Sequence, residues 1–214
     1  MGRRSLPKID PNLDLARHLF SVEELEDSFN PHSLFECNAP LEIEVGCGKG
    51  LFLESASTTR PEHNFIGVEI AKKYARFTAA RLAKSNSSNA VMFQGDAWRF
   101  VRDFIADQTV TGIHVYFPDP WWKGRHRKRR IMNAAFIKDI ERILVSTGRL
   151  HFRTDVKEYF DSTLDLIAAS SKLTGPQAVP ELTGANKPDA LTHFERRMRL
   201  KDRVVYRSEF IQPK

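Results

Sequence analysis

The sequence predicts an α/β fold built on a mostly parallel sheet, and three observations carry the prediction. Short β-branched or apolar runs alternate with amphipathic stretches of ten or more residues, the order that produces right-handed crossovers between parallel strands. The first run, Leu41-Glu-Ile-Glu-Val45, leads directly into Gly46-Cys-Gly-Lys-Gly50 and an apolar helix start at Leu51-Phe-Leu53, the strand, glycine turn and helix of a nucleotide-binding unit. An acid also stands at or just beyond the end of each run: Glu44, Glu69, Asp96, Asp119 and Asp155. The carboxyl edge of such a sheet is where ligands bind.

At 214 residues the chain has the length of one α/β domain with a substantial core. Residues 1–40 are polar and broken by Pro7, Pro11, Pro31 and Pro40, with one short helix opened at Ser21 by the capping-box spacing Ser21-Val-Glu-Glu. They are expected to form a partly helical, mobile appendage or lid ahead of the main domain, residues 41–214. In the glycine turn the Gly-x-Gly-x-Gly spacing misses both the dinucleotide pattern and the P-loop ending. Gly46 and Gly48 therefore stand either for close backbone approach to a ligand or for a structural tight turn.

The second strand, Asn64–Ile70, ends with Glu69, twenty-three positions after Gly46, where an acid can accept from both ribose hydroxyls of an adenosine. Glu44 is aimed at the same pocket, and a salt-bridged structural carboxylate is the alternative for either acid. Ala71–Lys84 reads as an alanine-rich amphipathic helix stopped by the Ser85–Asn89 loop. Ala90–Gln94 is the third strand. Asp96 follows it as the N-cap of a helix over Ala97–Ala106, as a ligand contact, or as both.

The fourth strand, Ile113–Phe117, is stopped by Pro118 and Pro120, which withhold ladder donors and pin Asp119 at the strand end. Trp121 and Trp122 come next, and Lys123 to Arg130 then holds six Lys/Arg and no acid. A fixed acid, aromatic faces and a cationic loop together suit a flipped-out nucleobase held beside its own phosphate backbone. Taken singly, the pieces are also those of a turn, core tryptophans and a solvated loop. The chain has 33 Lys/Arg against 27 Asp/Glu, and without those six the count is 27 against 27. The excess charge is local, which points to phosphate recognition at one site.

Asn133 caps a helix running to about Val145, broken by Thr147-Gly148, before a fifth strand at Arg149–Thr154, Asp155 and a helix over Val156–Ala169. Residues 170–191 are mostly loop, with Pro176, Pro180 and Pro188 and one short strand near Ala178. Arg203–Ile211 is a last strand, antiparallel at or near the sheet edge. Thr192-His-Phe-Glu195 precedes a second basic cluster of Arg196, Arg197, Arg199 and Lys201, which is either a solvated face or another phosphate contact. Cys37 and Cys47 are too few and too poorly spaced for a zinc site. With no apolar stretch behind Met1 and no run of membrane-span length, a cytoplasmic protein without a metal is expected.

Phe117-Pro-Asp-Pro-Trp-Trp-Lys123, Arg125-His-Arg-Lys-Arg-Arg-Ile131 and Thr192-His-Phe-Glu195, set in a stretch from about Leu41 to Ile211, resemble the bacterial tRNA (guanine-N7-)-methyltransferase family. The resemblance implies a class I methyltransferase (Rossmann-like) three-layer sandwich. It implies transfer of a methyl group from S-adenosyl-L-methionine to N7 of a guanine in the variable loop of tRNA, leaving S-adenosyl-L-homocysteine; the sequence makes no obligate protein partner evident and leaves monomer and homodimer both open. Cofactor contacts would fall to Glu44, Gly46, Gly48, Glu69, Asp96, Ala97 and Asp119, and Asp119 would also be catalytic. Lys123, Asp155, Thr192, His193, Phe194 and Glu195 would contact substrate, and Arg125, Arg127, Lys128, Arg129 and Arg130 would meet tRNA. This chain has Trp122 where the motif often has His, and a charged segment in place of the glycine frequently found after Glu195. Guanine N7 owns an in-plane lone pair, so alignment matters more than proton removal. An amino-group methyltransferase is the rival, since Pro-Asp-Pro-Trp resembles the Asp-Pro-Pro-aromatic signature of those enzymes, and a non-catalytic RNA-binding protein stands behind it.

Overall fold

β2 (Leu41–Val45) is buried at all five positions, the condition of a parallel strand covered by helices on both faces. The computed structural model describes residues 6–179, 192–200 and 203–214. Around β2 it arranges β1 (Leu19–Ser21), β3 (Asn64–Glu69), β4 (Ala90–Gln94), β5 (Val110–Tyr116), β6 (Leu144–Thr154), β7 (Thr174–Ala178) and β8 (Tyr206–Ile211). The sheet order is β1-β4-β3-β2-β5-β6-β8-β7. Neighbours from β1 through β6 are parallel, whereas β8 runs antiparallel to β6 and β7. The chain winds outward from β2 through β3 and β4, then returns to the other side through β5 and β6. This leaves a switch point between β2 and β5, where open α/β sheets bind their ligands.

Two separate cores make the three layers. Phe52 and Leu53 of α1 (Leu51–Thr59) and Ala75, Ala79 and Leu82 of α2 (Lys72–Lys84) pack on one face with Phe65 and Met92. On the other face Phe100, Phe136, Ile140 and Ile167 bring α3 (Ala97–Phe104), α4 (Ala134–Ile143) and α5 (Lys157–Ser170) against Ile43, Val68 and Val115. The α/β sandwich is the one predicted, and the short α6 (His193–Arg199) adds to it ahead of β8. Among the described residues no helix is long and apolar enough to cross a membrane.

Several boundaries differ for local reasons. α4 stops at Ile143, short of Val145, because Leu144 is extended and already pairs with Val110; the break then falls at Thr147, which holds a left-handed φ of 65°. α3 ends at Phe104 and not at Ala106. The segment expected as an appendage inserts its residues 19–21 as a parallel edge strand against Met92, Phe93 and Gln94. Ser21 does cap, accepting from the Glu23 N–H at 3.2 Å, but the helix it opens is a single 3-10 turn, Val22–Glu24. Val22 is fully buried and occupies the position where a Cβ on Gly95 would stand, 2.5 Å away. Pro180, Pro188 and Lys201 lie outside the described residues.

Candidate active site

Because β2 through β6 are parallel, their ends converge on one rim. Glu44 sits one residue before the end of β2 and Glu69 closes β3. Asp96 follows β4, Asp119 follows β5 and Asp155 follows β6. Between the first two acids, Gly46, Gly48 and Gly50 all adopt left-handed φ, 71°, 56° and 65°, a run that L side chains resist. The three have different surroundings. A Cβ on Gly46 or Gly48 would meet nothing within 4 Å, whereas one on Gly50 would stand 2.3 Å from Thr78 Cγ2. Gly50 is therefore needed for packing, and Gly46 and Gly48 border open space.

Glu69 fixes this turn from the side, accepting from the Gly48 N–H and the Ala71 N–H at 2.9 Å each. Glu44 lies beneath it, 3% exposed, with its Oε2 buried and unpartnered. Burial, and then the charge of Glu69, push the Glu44 carboxyl up to about 8. A buried, partly unsatisfied acid beside a second acid creates a site that favours a cationic ligand. Asp96 is exposed and uses Oδ1 to cap α3 at the Arg99 N–H, 3.0 Å, so the residue that follows β4 at the rim also caps the helix, which Ala97 begins. The orphaned Glu44 oxygen, the open cradle at Gly46 and Gly48 and the paired acids fit an adenosyl cofactor that carries positive charge. Among the described residues no three His, Cys, Asp or Glu side chains gather so as to hold a metal ion.

Across the switch point the chain leaves β5 under backbone constraint. Phe117 and Trp121 both hold left-handed φ, 51° and 44°, uncommon for aromatic residues and frequent at functional sites. Pro118 and Pro120 lie between them, so the exposed Asp119 is held by stiff backbone on both sides. Trp121 is half-buried, with the Arg129 guanidinium 5.0 Å from its ring centre and His126 edge-on at 5.9 Å. Trp122 is 69% exposed. Lys123, Arg125, Arg127, Lys128 and Arg129 are exposed along a 3-10 turn, Gly124–Arg129.

Two of the predicted contacts turn inward. Arg130 is buried, donates from Nε to the Pro120 carbonyl at 2.8 Å and pairs with Glu158 at 2.8 Å. Its guanidinium lies 4.4 Å from the Tyr159 ring centre, so Arg130 departs from the RNA-facing role expected of the whole run and braces the turn that carries Asp119. Glu195 is likewise fully buried, its two oxygens held by Arg153 at 3.0 Å and Arg207 at 2.9 Å. Thr192 caps α6 by accepting from the Glu195 N–H at 3.0 Å, and the Phe194 ring packs tilted against Phe117, 4.8 Å between centroids. Through Phe194 the buried acid helps fix the turn after β5. Asp155 is half-buried at the rim, and the side chain of His193 lies outside the described residues.

Sequence reasoning missed Arg153 and Arg207, and it missed a buried network below the site. His114 donates to Glu42 (2.6 Å) and meets the Tyr116 hydroxyl (2.8 Å), while Arg60 and His63 reach the same carboxylate. Burial opposes the ionisation of Glu42, yet His114, Arg60 and His63 hold it at about 2. His114 is kept neutral by burial and by His151, which stacks on it at 4.5 Å. The signal was available: Arg149, His151 and Arg153 alternate with Leu150 and Phe152 along one strand, a polar face whose partners only the fold supplies.

A family model whose description reads "Putative methyltransferase" matches residues 38–208. A protein of Rhodopirellula baltica named tRNA (guanine-N(7)-)-methyltransferase is 48% identical over 213 residues, covering 97% of this chain and 79% of that protein. One of the same name from Rubrobacter xylanophilus is 30% identical over 197 residues, 92% of this chain and 87% of that protein. Among solved structures, a point mutant of the 16S rRNA (adenine(1408)-N(1))-methyltransferase of Catenulisporales acidiphilia, with cosubstrate SAM, superposes with a TM-score of 0.56 at 16% identity, covering 82% of this chain and 86% of that one. An antibiotic-related methyltransferase superposes at 0.58 and 14%, covering 83% and 88%. At such identities the likeness speaks for the fold alone.

Proposed function

Since this chain belongs to the tRNA (guanine-N(7)-)-methyltransferase family, we propose that it transfers a methyl group from S-adenosylmethionine to N7 of a guanine in the variable loop of tRNA. The observation that carries the reading is the meeting, at one switch point, of an open left-handed glycine cradle ringed by acids with a constrained Asp119 and an exposed cationic turn. Adenosylmethionine, when bound, supplies an electrophilic sulfonium methyl. Gly46 and Gly48 would let it approach the backbone, Glu69 would accept from its ribose, Glu44 would face its positive charge, and Asp96 with Ala97 would border its base.

Nothing has to remove a proton from N7, so the work left to the chain is alignment and charge. Holding the acceptor in line is worth on the order of 7 to 11 kcal/mol. Asp119 would hold the guanine by its N–H edge and favour the positive charge that grows on the ring as N7 is alkylated. Asp155, Thr192 and Phe194 would complete the base pocket. Lys123, Arg125, Arg127, Lys128 and Arg129 would grip the flanking phosphates, and the exposed Trp122 would offer a stacking face to the extruded base.

The test is Asp119→Ala, assayed with labelled adenosylmethionine and unmodified tRNA. Turnover should fall by about two to three orders of magnitude while both ligands still bind. Turnover within about twofold of wild type, with binding intact, would overturn the assignment. Nucleoside analysis of the product separates 7-methylguanosine from the amino-methylated bases that the rival reading requires.

A further inference from the structure

α2 is chemically lopsided. Its 13 residues include five Lys/Arg and no acid. Arg81 is tied to Glu54 of α1, but Lys72, Lys73, Arg76 and Lys84 are exposed and form no ion pair among the described residues. Spacings of three, four and eight place them on one outer face, a track about 18 Å long at the helical rise. Lys73 leans over the Tyr74 ring at 5.1 Å and the other three project to solvent. Stability alone does not account for them. Lys72 and Lys73 occupy the first turn, where the positive end of the helix dipole disfavours cations, and the N-cap Ala71 offers no compensating side-chain bond. A helix selected only to cover the sheet would carry acids there and opposite-charge pairs along its face.

The helix is fastened to the proposed cofactor cradle. It starts three residues after Glu69, and the Thr78 hydroxyl donates to the Gly48 carbonyl at 3.1 Å. β3 and β5 are separated only by β2, so the start of α2 and the cationic turn after β5 flank the same rim, about 10 Å apart along the sheet. A single phosphate cannot span both features, whereas a nucleic-acid strand can.

We propose that the outer face of α2 is a second tRNA-binding surface, in which Lys72, Lys73, Arg76 and Lys84 contact phosphates remote from the methylated guanine. The proposal rests on the reading of the chain as a tRNA methyltransferase. The experiment combines Lys72→Gln, Lys73→Gln, Arg76→Gln and Lys84→Gln in the full chain, since glutamine keeps helix propensity. tRNA binding is then titrated against salt, with thermal melting and adenosylmethionine affinity measured alongside.

The logarithmic salt slope should flatten by about three, and the KM for tRNA should rise at least tenfold, with the melting temperature no lower than that of wild type and cofactor affinity within about twofold of it. The pair Lys138→Gln and Lys172→Gln, exposed elsewhere on the molecule, should leave the slope unchanged. An unaltered slope in the α2 variant overturns the proposal, and so does equal flattening in the control pair. Lost binding to phosphatidylserine vesicles with an intact tRNA slope also overturns it, by assigning the face to a membrane surface. Failure of the underlying reading would appear separately, as wild-type protein that makes no 7-methylguanosine.

Discussion

Glu44 and Glu42 are two residues apart on β2 and buried to a similar degree, yet their surroundings drive them in opposite directions. Glu42 is held ionised at about 2 against its own burial, by His114, Arg60 and His63. For Glu44, burial and the neighbouring Glu69 push the carboxyl up to about 8. The folded value lies above the unfolded one, so the contribution of Glu44 to stability is full below about pH 4.5 and is lost as pH rises through about 8, on the order of 5 kcal/mol across the window. Glu44→Gln should remove that portion of the dependence of melting temperature on pH, and equal slopes in the two proteins would contradict the assignment. A cationic cofactor favours the charged form. Adenosylmethionine binding at pH 7 should therefore release a proton in wild type and none in Glu44→Gln, visible as buffer-dependent calorimetric enthalpy.

At the scale of elements, the glycine turn divides its labour between packing and the ligand. Gly48→Ala costs about 1 to 2 kcal/mol for a left-handed residue and meets no neighbour, so melting should fall by only a few degrees. Its methyl enters the space assigned to the cofactor, and adenosylmethionine affinity should drop at least tenfold. Gly50→Ala adds a contact 2.3 Å from Thr78 that pries α1 from α2, for a total of about 3 kcal/mol or more. It should lower the melting temperature by roughly 10 °C. If the two variants showed the same ratio of affinity loss to stability loss, the division would be wrong. The turn after β5 is divided in the same way: Asp119 and the outer arginines face solvent, while Arg130 is drawn in by Glu158 and Tyr159 to brace them.

For the whole molecule, the sheet is completed from outside the βα alternation. β1 adds an edge strand from the N-terminal segment, Phe20 stacks on Phe93 at 5.3 Å, and Val22 fills the place that Gly95 leaves. Val22→Ala should cost about 2 kcal/mol and about 5 °C in melting temperature. A detached appendage would show no change in a denaturation curve.

The sequence by itself determined the alternation of strands and helices, the rim on which Glu44, Glu69, Asp96 and Asp119 meet, and the cationic turn. Those features follow from local periodicity, from proline and glycine stops, and from the rule that parallel strands end on one side. Only the tertiary structure decided which charges face inward. Arg130 reads like its five basic neighbours and Glu195 like any motif acid until Glu158, Arg153 and Arg207 arrive from distant parts of the chain. The reason is physical. A charge leaves water only when a partner of opposite sign is brought to it, and the position of that partner is set by the packing of the sheet and helices, beyond the reach of sequence spacing.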